Sequence, residues 1–136
     1  MEYIIENGQG YVKIYNSYNT KLEFEGEYFK GEKNGKGKEY YYDGLIRFEG
    51  EYLYNERKKG KEYYYNGKLK FEGEYLYNQR KKGKFYIDNR LEYEGEYLYN
   101  KKCDGKCYDE NGKIIYELIN GTGKVKEYND YFNGII

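Results

Sequence analysis

The chain of 136 residues has no histidine, proline, tryptophan or alanine, and its only serine is Ser17. Without histidine, acid–base chemistry at neutral pH would need a carboxylate with a perturbed pKa in a concave site. No nucleophile–base pair can be nominated either, so the chain is not expected to be an enzyme. Cysteine is nearly absent. Cys103 and Cys107 are too few for a four-ligand zinc site. Four residues of extended strand would hold them about 13 Å apart, beyond disulfide reach. Free thiols in a reducing compartment are expected. No Asp-x-Asp-x-Asp loop is present, so no metal or cofactor is expected. No apolar run approaches the roughly 18 residues of a membrane span. The start MEYIIENGQG lacks the basic-then-apolar layout of a secretion signal. The expectation is a soluble, cytoplasmic protein.

Net charge is also missing: 24 basic and 24 acidic side chains cancel. No general basic field exists to hold nucleic acid, which is excluded as a partner. Leu, Ile, Val and Phe number 8, 10, 2 and 6, about 19% together, a level that flags disorder. Disordered chains, however, carry net charge and few aromatics, whereas 23 Tyr and 6 Phe supply large, partly apolar bodies here.

What the chain does have is a repeat, to be sought before any assignment of elements. FEGEY begins at Phe24, Phe48 and Phe71, and YEGEY at Tyr93, giving steps of 24, 23 and 22 residues. Each is followed by a polar stretch and then by Gly-Lys with aromatics, from Gly37, Gly60, Gly83 and Gly105. A shorter form brackets them, YIIENGQGYVKIYN from Tyr3 matching YELINGTGKVKEYN from Tyr116. One repeat domain over 1–136 follows: a short hairpin 1–20, units 21–44, 45–67, 68–89 and 90–112, and a short hairpin 113–136.

Each unit reads as two strands. In FEGEYLY, Phe48, Gly50 and Tyr52 alternate with Glu49, Glu51 and Leu53, the period of two of a half-exposed strand. Recurrent glycine and Tyr-Tyr-Tyr runs disfavour helix. Asp43-Gly44, Asn66-Gly67 and Asn111-Gly112, with Asn7-Gly8 and Asn120-Gly121 in the outer hairpins, suit two-residue type I′ turns. A turn of that kind at Asn66-Gly67 pairs Tyr65 with Lys68 and Glu62 with Phe71, placing Gly60, Glu62 and Tyr64 on the face of Phe71, Gly73 and Tyr75. If Phe24, Phe48, Phe71 and Tyr93 share that face, simple alternation sets Tyr52 opposite Gly60 across a three-residue loop, Asn55, Glu56 and Arg57. It likewise sets Tyr28 opposite Gly37, Tyr75 opposite Gly83 and Tyr97 opposite Gly105, with Gly26 and Gly95 on the same face, so that each inward tyrosine meets bare backbone.

On the reverse face that register pairs Lys38 with Glu27 and Glu49, Lys61 with Glu51 and Glu72, Glu74 with Lys84, and Lys106 with Glu96 and Glu117. Each pair contributes only about 0.2–1 kcal/mol, but a one-residue slip would set like charges together and turn the aromatic face outward. The segment Gly83 to Tyr93 is one residue short of its counterparts, which predicts a three-residue turn or a bulge near Ile87, Asp88 and Asn89.

These residues resemble the MORN repeat, roughly YxGxWxxGxxxGxGxYxxxDG. Phe24, Gly26, Tyr28, Gly31, Gly35, Gly37, Tyr41, Asp43 and Gly44 fit that frame in order. Tyrosine stands where the family usually has tryptophan, and Asn55, Asn78 and Asn100 replace its first loop glycine. The resemblance implies an all-β, elongated single-sheet antiparallel meander of stacked hairpins. It also implies a non-enzymatic scaffold, spacer or oligomerisation element, and in several members a link to membrane apposition or phosphoinositides.

Two functional expectations follow. Loops on one edge read as basic, with Lys30, Lys33 and Lys36; Arg57, Lys58 and Lys59; Arg80, Lys81 and Lys82; and Lys101 and Lys102. The opposite tips carry Asp43, Asn66, Asp88, Asn89, Glu110 and Asn111. A rim of that kind would contact anionic lipid headgroups, each cation contributing about 1 kcal/mol at low salt, or a protein partner. The second expectation is association with a protein partner or with itself. It would use terminal edge strands, around Tyr3 to Glu6 and Lys124 to Tyr128, or the aromatic face.

Overall fold

A computed structural model of the chain describes the backbone of residues 2–6 and residues 9–18 and 20–119 in full. They form one antiparallel sheet, with neighbours in chain order throughout. The strands are β1 (Glu2–Glu6), β2 (Gln9–Tyr15), β3 (Leu22–Phe29), β4 (Glu32–Tyr40), β5 (Ile46–Leu53), β6 (Glu56–Tyr63), β7 (Leu69–Leu76), β8 (Gln79–Ile87), β9 (Arg90–Leu98), β10 (Lys101–Tyr108) and β11 (Ile114–Leu118). The described residues contain no helix, and the meander does not close into a barrel. The turns expected at Asn7-Gly8 and Asn120-Gly121, and the strand expected around Lys124 to Tyr128, lie outside the described residues.

Register departs from simple alternation in an instructive way. Glycine faces glycine, Gly26 with Gly37, Gly50 with Gly60, Gly73 with Gly83 and Gly95 with Gly105, and the row continues across the intervening pairs Gly37·Gly50, Gly60·Gly73 and Gly83·Gly95. The tyrosines expected opposite these glycines lie two residues further on, Tyr52 facing Arg57, Tyr75 facing Arg80 and Tyr97 facing Lys102. The cause is a bulge in every strand pair except β1 with β2. The irregularity expected near Ile87, Asp88 and Asn89 falls instead at Glu92, the extra residue between the pairs Tyr86·Leu91 and Phe85·Tyr93, and Asp88-Asn89 is a two-residue turn. Each extra residue moves its strand's alternation by one position and increases the local twist.

Turn types are exchanged as well. Asp43-Gly44 and Asn66-Gly67 close three-residue loops, Tyr41 N–H donating to Leu45 O and Tyr64 N–H to Lys68 O, with only the glycine at positive φ. The two-residue turns, with both central residues at positive φ, are Tyr54-Asn55, Tyr77-Asn78, Tyr99-Asn100, Lys30-Gly31 and Asp88-Asn89. The pair Glu62·Phe71 forms as expected, because a bulge beside Tyr63 compensates the longer loop.

One face carries the core. Phe24, Phe48, Phe71 and Tyr93 are buried, and each ring lies over a facing glycine pair, its tip where a glycine Cβ would be. Tyr52, Tyr75 and Tyr97 meet these rings edge-on at centroid distances of 5.3 to 5.8 Å, a favoured aromatic geometry.

On the reverse face, Glu-Gly-Glu strands alternate with Lys-Gly-Lys strands, so two rows of alternating charge flank the glycine row. One runs Glu25, Lys38, Glu49, Lys61, Glu72, Lys84, Glu94, Lys106, Glu117; the other pairs Lys36 with Glu51, Glu51 with Lys59, Lys59 with Glu74, Glu74 with Lys82 and Lys82 with Glu96. The expected pairs Lys38·Glu49, Lys61·Glu72 and Lys106·Glu117 are present. Lys38 meets Glu25 rather than Glu27, Lys61 meets Glu49 rather than Glu51, Lys84 meets Glu72 and Glu94 rather than Glu74, and Lys106 meets Glu94 rather than Glu96.

Candidate functional site

The structure divides the eleven cations expected at the rim into three groups. Arg57, Arg80, Lys102 and Lys33 turn into the aromatic face. Arg57 lies 4.2 Å above the Phe48 ring and grips Glu39, Nε donating to Oε2 and Nη2 to Oε1, both at 2.9 Å. Arg80 repeats this one unit later, 4.8 Å above Phe71, with Nε and Nη2 donating to Glu62 at 3.0 and 2.9 Å. Tyr52 Oη donates to Glu39 and Tyr75 Oη to Glu62. In the fourth unit Phe85 occupies the place of the glutamate, and Lys102 takes its carboxylate from Glu92 at 2.8 Å, each side chain only 5% exposed. Glu92 is the extra residue of the β9 bulge. Lys33 lies 4.3 Å above Phe24. These four cations are structural and do not form an edge.

The second group, Lys36, Lys59 and Lys82, stands in the charged rows; Lys59 reaches Glu51 at 3.0 Å and Lys82 reaches Glu74 at 3.4 Å, all half-exposed and so contributing little each. Lys30, Lys58, Lys81 and Lys101 are exposed near the rim and form no ion pair among the described residues, Lys30 lying over the Phe29 ring. Lys58 and Lys81 are the extra residues of bulges. The loop expected at Asn55, Glu56 and Arg57 is instead the turn Tyr54-Asn55, which draws the cations inboard.

Leucine, tyrosine and asparagine occupy the rim. Leu53, Leu76 and Leu98 are 40%, 54% and 59% exposed, and Tyr54, Tyr77 and Tyr99 are 74%, 76% and 76% exposed. Successive tips are two strands, about 9.5 Å, apart. The asparagines hold the hairpins together. Asn55, Asn78 and Asn100 Oδ1 accept the backbone N–H of Lys33, Arg57 and Arg80 at 2.7, 2.9 and 2.9 Å, locking each tip onto the preceding hairpin. The tyrosines make no such bond, yet they hold φ of 51°, 53° and 52°. That left-handed conformation costs an L-residue about 1–2 kcal/mol. The two-residue turn accounts for the φ, which Lys30 and Asp88 share, but three exposed aromatics at a position that favours Asn, Asp or Gly, beside three exposed leucines, are the feature of this edge that packing does not explain. The sequence carried a sign of it, Leu-Tyr-Asn recurring at Leu53, Leu76 and Leu98.

The buried carboxylates set the acid response. Burial alone would raise the Glu62 pKa, but the charge and hydrogen bonds of Arg80, with the Tyr75 hydroxyl, outweigh it and hold the carboxyl at about 2. Burial and Arg57 compete at Glu39 in the same way, and its pKa is also lowered. A carboxyl depressed in the fold favours the folded state above its unfolded pKa, and this contribution is lost as pH falls through the folded value. Stability should therefore fall between about pH 5 and pH 2. Urea midpoints measured across that window should drop, and Glu62→Gln should flatten much of the slope; an unchanged slope would contradict this assignment.

No protein-family model matches the chain, and no curated protein matches it. The geometry alone therefore carries the functional reading. Among the described residues no three His, Cys, Asp or Glu side chains are grouped to hold a metal. No helix there is long and apolar enough to cross a membrane.

Proposed function

We propose that the chain is a non-catalytic, MORN-like repeat scaffold that recruits a partner protein, or a second copy of itself, through the Leu-Tyr-Asn rim. The single observation that supports this reading is that Tyr54, Tyr77 and Tyr99 occupy an unfavourable backbone conformation while remaining about three-quarters exposed. The two-residue turn imposes that φ, and Lys30 and Asp88 hold it at the same turn position, but nothing in the turn calls for an exposed ring there. Rigid amphipathic rings and leucines at a fixed spacing suit a protein interface. The setting is cytoplasmic in this reading.

Replacing Tyr54, Tyr77 and Tyr99 together by asparagine separates function from folding. Asparagine tolerates positive φ, so the triple variant should be more stable by about 1 kcal/mol per site. It should also lose its partner. Chemical denaturation reads the first effect. Proximity labelling with the intact chain and sedimentation at high concentration read the second. A variant that labels the same proteins and self-associates as before would refute the proposal.

A second reading rests on Lys58, Lys81 and Lys101. Cations beside tyrosine and leucine match the chemistry of an anionic bilayer surface, with rings at headgroup depth. Co-sedimentation with phosphoinositide vesicles at physiological ionic strength should then fall to the level of neutral lipid when these three lysines become glutamate. Charge reversal at Arg57 or Arg80 would not be informative, because it would break the core. Binding to neutral and phosphoinositide vesicles alike would end this second reading.

A further inference from the structure

The repeat supplies its own comparison at Lys33. In the second and third units the cation above the phenylalanine receives a glutamate from the preceding strand: Glu39, opposite Phe48, serves Arg57, and Glu62, opposite Phe71, serves Arg80. In the first unit the residue opposite Phe24 on the preceding strand is Ile14, while Glu39 faces Phe24 from the following strand. Lys33 forms no ion pair among the described residues, although it lies 4.3 Å above Phe24 and 5.6 Å from the Tyr52 ring centroid. The carboxylate that acts on its charge is Glu39, which Arg57 and Tyr52 already engage. Burial lowers the Lys33 pKa, which marks an ammonium partly withdrawn from water. Tyr28, the counterpart of Tyr52, likewise has no carboxylate to which it donates among the described residues.

A cavity of about 390 Å³ opens at this position, lined by Ile14, Leu22, Phe24, Lys33, Tyr41 and Arg47, among others. In the following units a longer arginine and its glutamate occupy the equivalent ground. The volume lies within the range of small-molecule sites. The walls combine apolar surface with three cations, Lys21, Lys33 and Arg47, against two carboxylates, Glu23 and Glu39, of which Glu39 is already engaged by Arg57 and Tyr52.

We propose that this cavity binds an organic carboxylate with an aromatic or branched apolar body, its carboxylate on Lys33 in the role that Glu39 plays for Arg57. The carboxylate is a free small acid or the C-terminus of a peptide; both present the same group. This site is separate from the Leu-Tyr-Asn rim, and neither proposal depends on the other.

The test is a titration of the intact ¹⁵N-labelled chain with benzoate, with N-acetylphenylalanine as the peptide-terminus probe, and with benzamide and inorganic phosphate as controls. Benzoate or N-acetylphenylalanine should shift the amides of Phe24, Lys33 and Arg47 together, with a Kd of about 1 mM or lower. The tighter of the two identifies the source. Lys33→Met keeps the stem over Phe24 and should weaken binding at least about tenfold, the usual loss for a hydrogen-bonded charge. Ile14→Glu installs the carboxylate that the next two units carry, and should abolish binding while leaving the remaining spectrum in place. Equal response to benzamide, or phosphate binding as tight as the carboxylates, would overturn the assignment. So would benzoate shifts unchanged in Lys33→Met, or shifts confined to Lys58, Lys81 and Lys101. Lys33→Met carries the test if Ile14→Glu does not fold.

Discussion

Gly73→Ala should cost about 3 kcal/mol or more, enough to unfold much of the population of a small domain. A Cβ at Gly73 would overlap the carbonyl oxygen of Lys82 and stand 2.7 Å from Gly83 Cα and 2.8 Å from Phe71 Cζ. Two of these atoms belong to backbone, which cannot swing aside, and the third belongs to a ring with no exposed surface. The glycines are therefore required by close approach: the strand pair and the ring above it occupy the space a side chain would need. Gly67→Ala is the matched control. Gly67 has φ of 86° and nothing within 4 Å of where a Cβ would stand, so only conformational strain of about 1 kcal/mol applies. Thermal or urea unfolding of both variants tests the contrast, and equal losses would mean that backbone freedom rather than packing explains the glycine row.

Arg80→Leu and Glu62→Leu should each cost about 3–5 kcal/mol, while the double variant should lose less than either single one. The reason is desolvation. The Arg80 and Glu62 side chains are 7% and 14% exposed, so removing one strands the other's charge among Phe71, Tyr75 and Tyr97. Removing both leaves apolar groups in an aromatic setting. A double-mutant cycle measures the coupling directly. Costs that simply add would show that the pair is solvated and that the cation above each ring is not part of the core.

The strands, their antiparallel order and the separation of aromatic from charged faces were legible in the sequence, because alternation within Phe-Glu-Gly-Glu and Lys-Gly-Lys reports directly on a pleated surface. Register was not, for a physical reason. Arg47, Lys70 and Glu92 are each the extra residue of a bulge, as are Lys58 and Lys81 at the other end of the hairpins. A period of two, counted through them, arrives two residues late at the glycine row. Turn chemistry misled in the same way. Asn66-Gly67 has the composition of a two-residue turn, yet Tyr64 buries its ring and donates its hydroxyl to Tyr86 O at 2.8 Å, which fixes a three-residue loop. Tyr54-Asn55 has a poor composition for a tight turn, and Asn55 is held there by its bond to Lys33 N.

The candidate site was harder to read than the fold. Arg57 and Lys58 are neighbours in a run of cations, and only the bulge decides that Arg57 turns toward Phe48 while Lys58 turns to water. Composition cannot distinguish a lysine at a loop tip from one packed over a ring. The same run masked Leu53 and Tyr54, whose exposure depends on where the turn closes. The repetition of Leu-Tyr-Asn was the available clue, and it becomes meaningful only once the tyrosine φ values are known.

The facing of glycine with glycine underlies the core, the charged rows and the placement of every rim residue. Cross-strand α-proton NOEs in the intact chain test it most directly. Contacts joining Gly50 to Gly60 and Gly73 to Gly83 are the predicted result. Contacts joining Tyr52 to Gly60 and Tyr75 to Gly83 would contradict the register and everything built upon it.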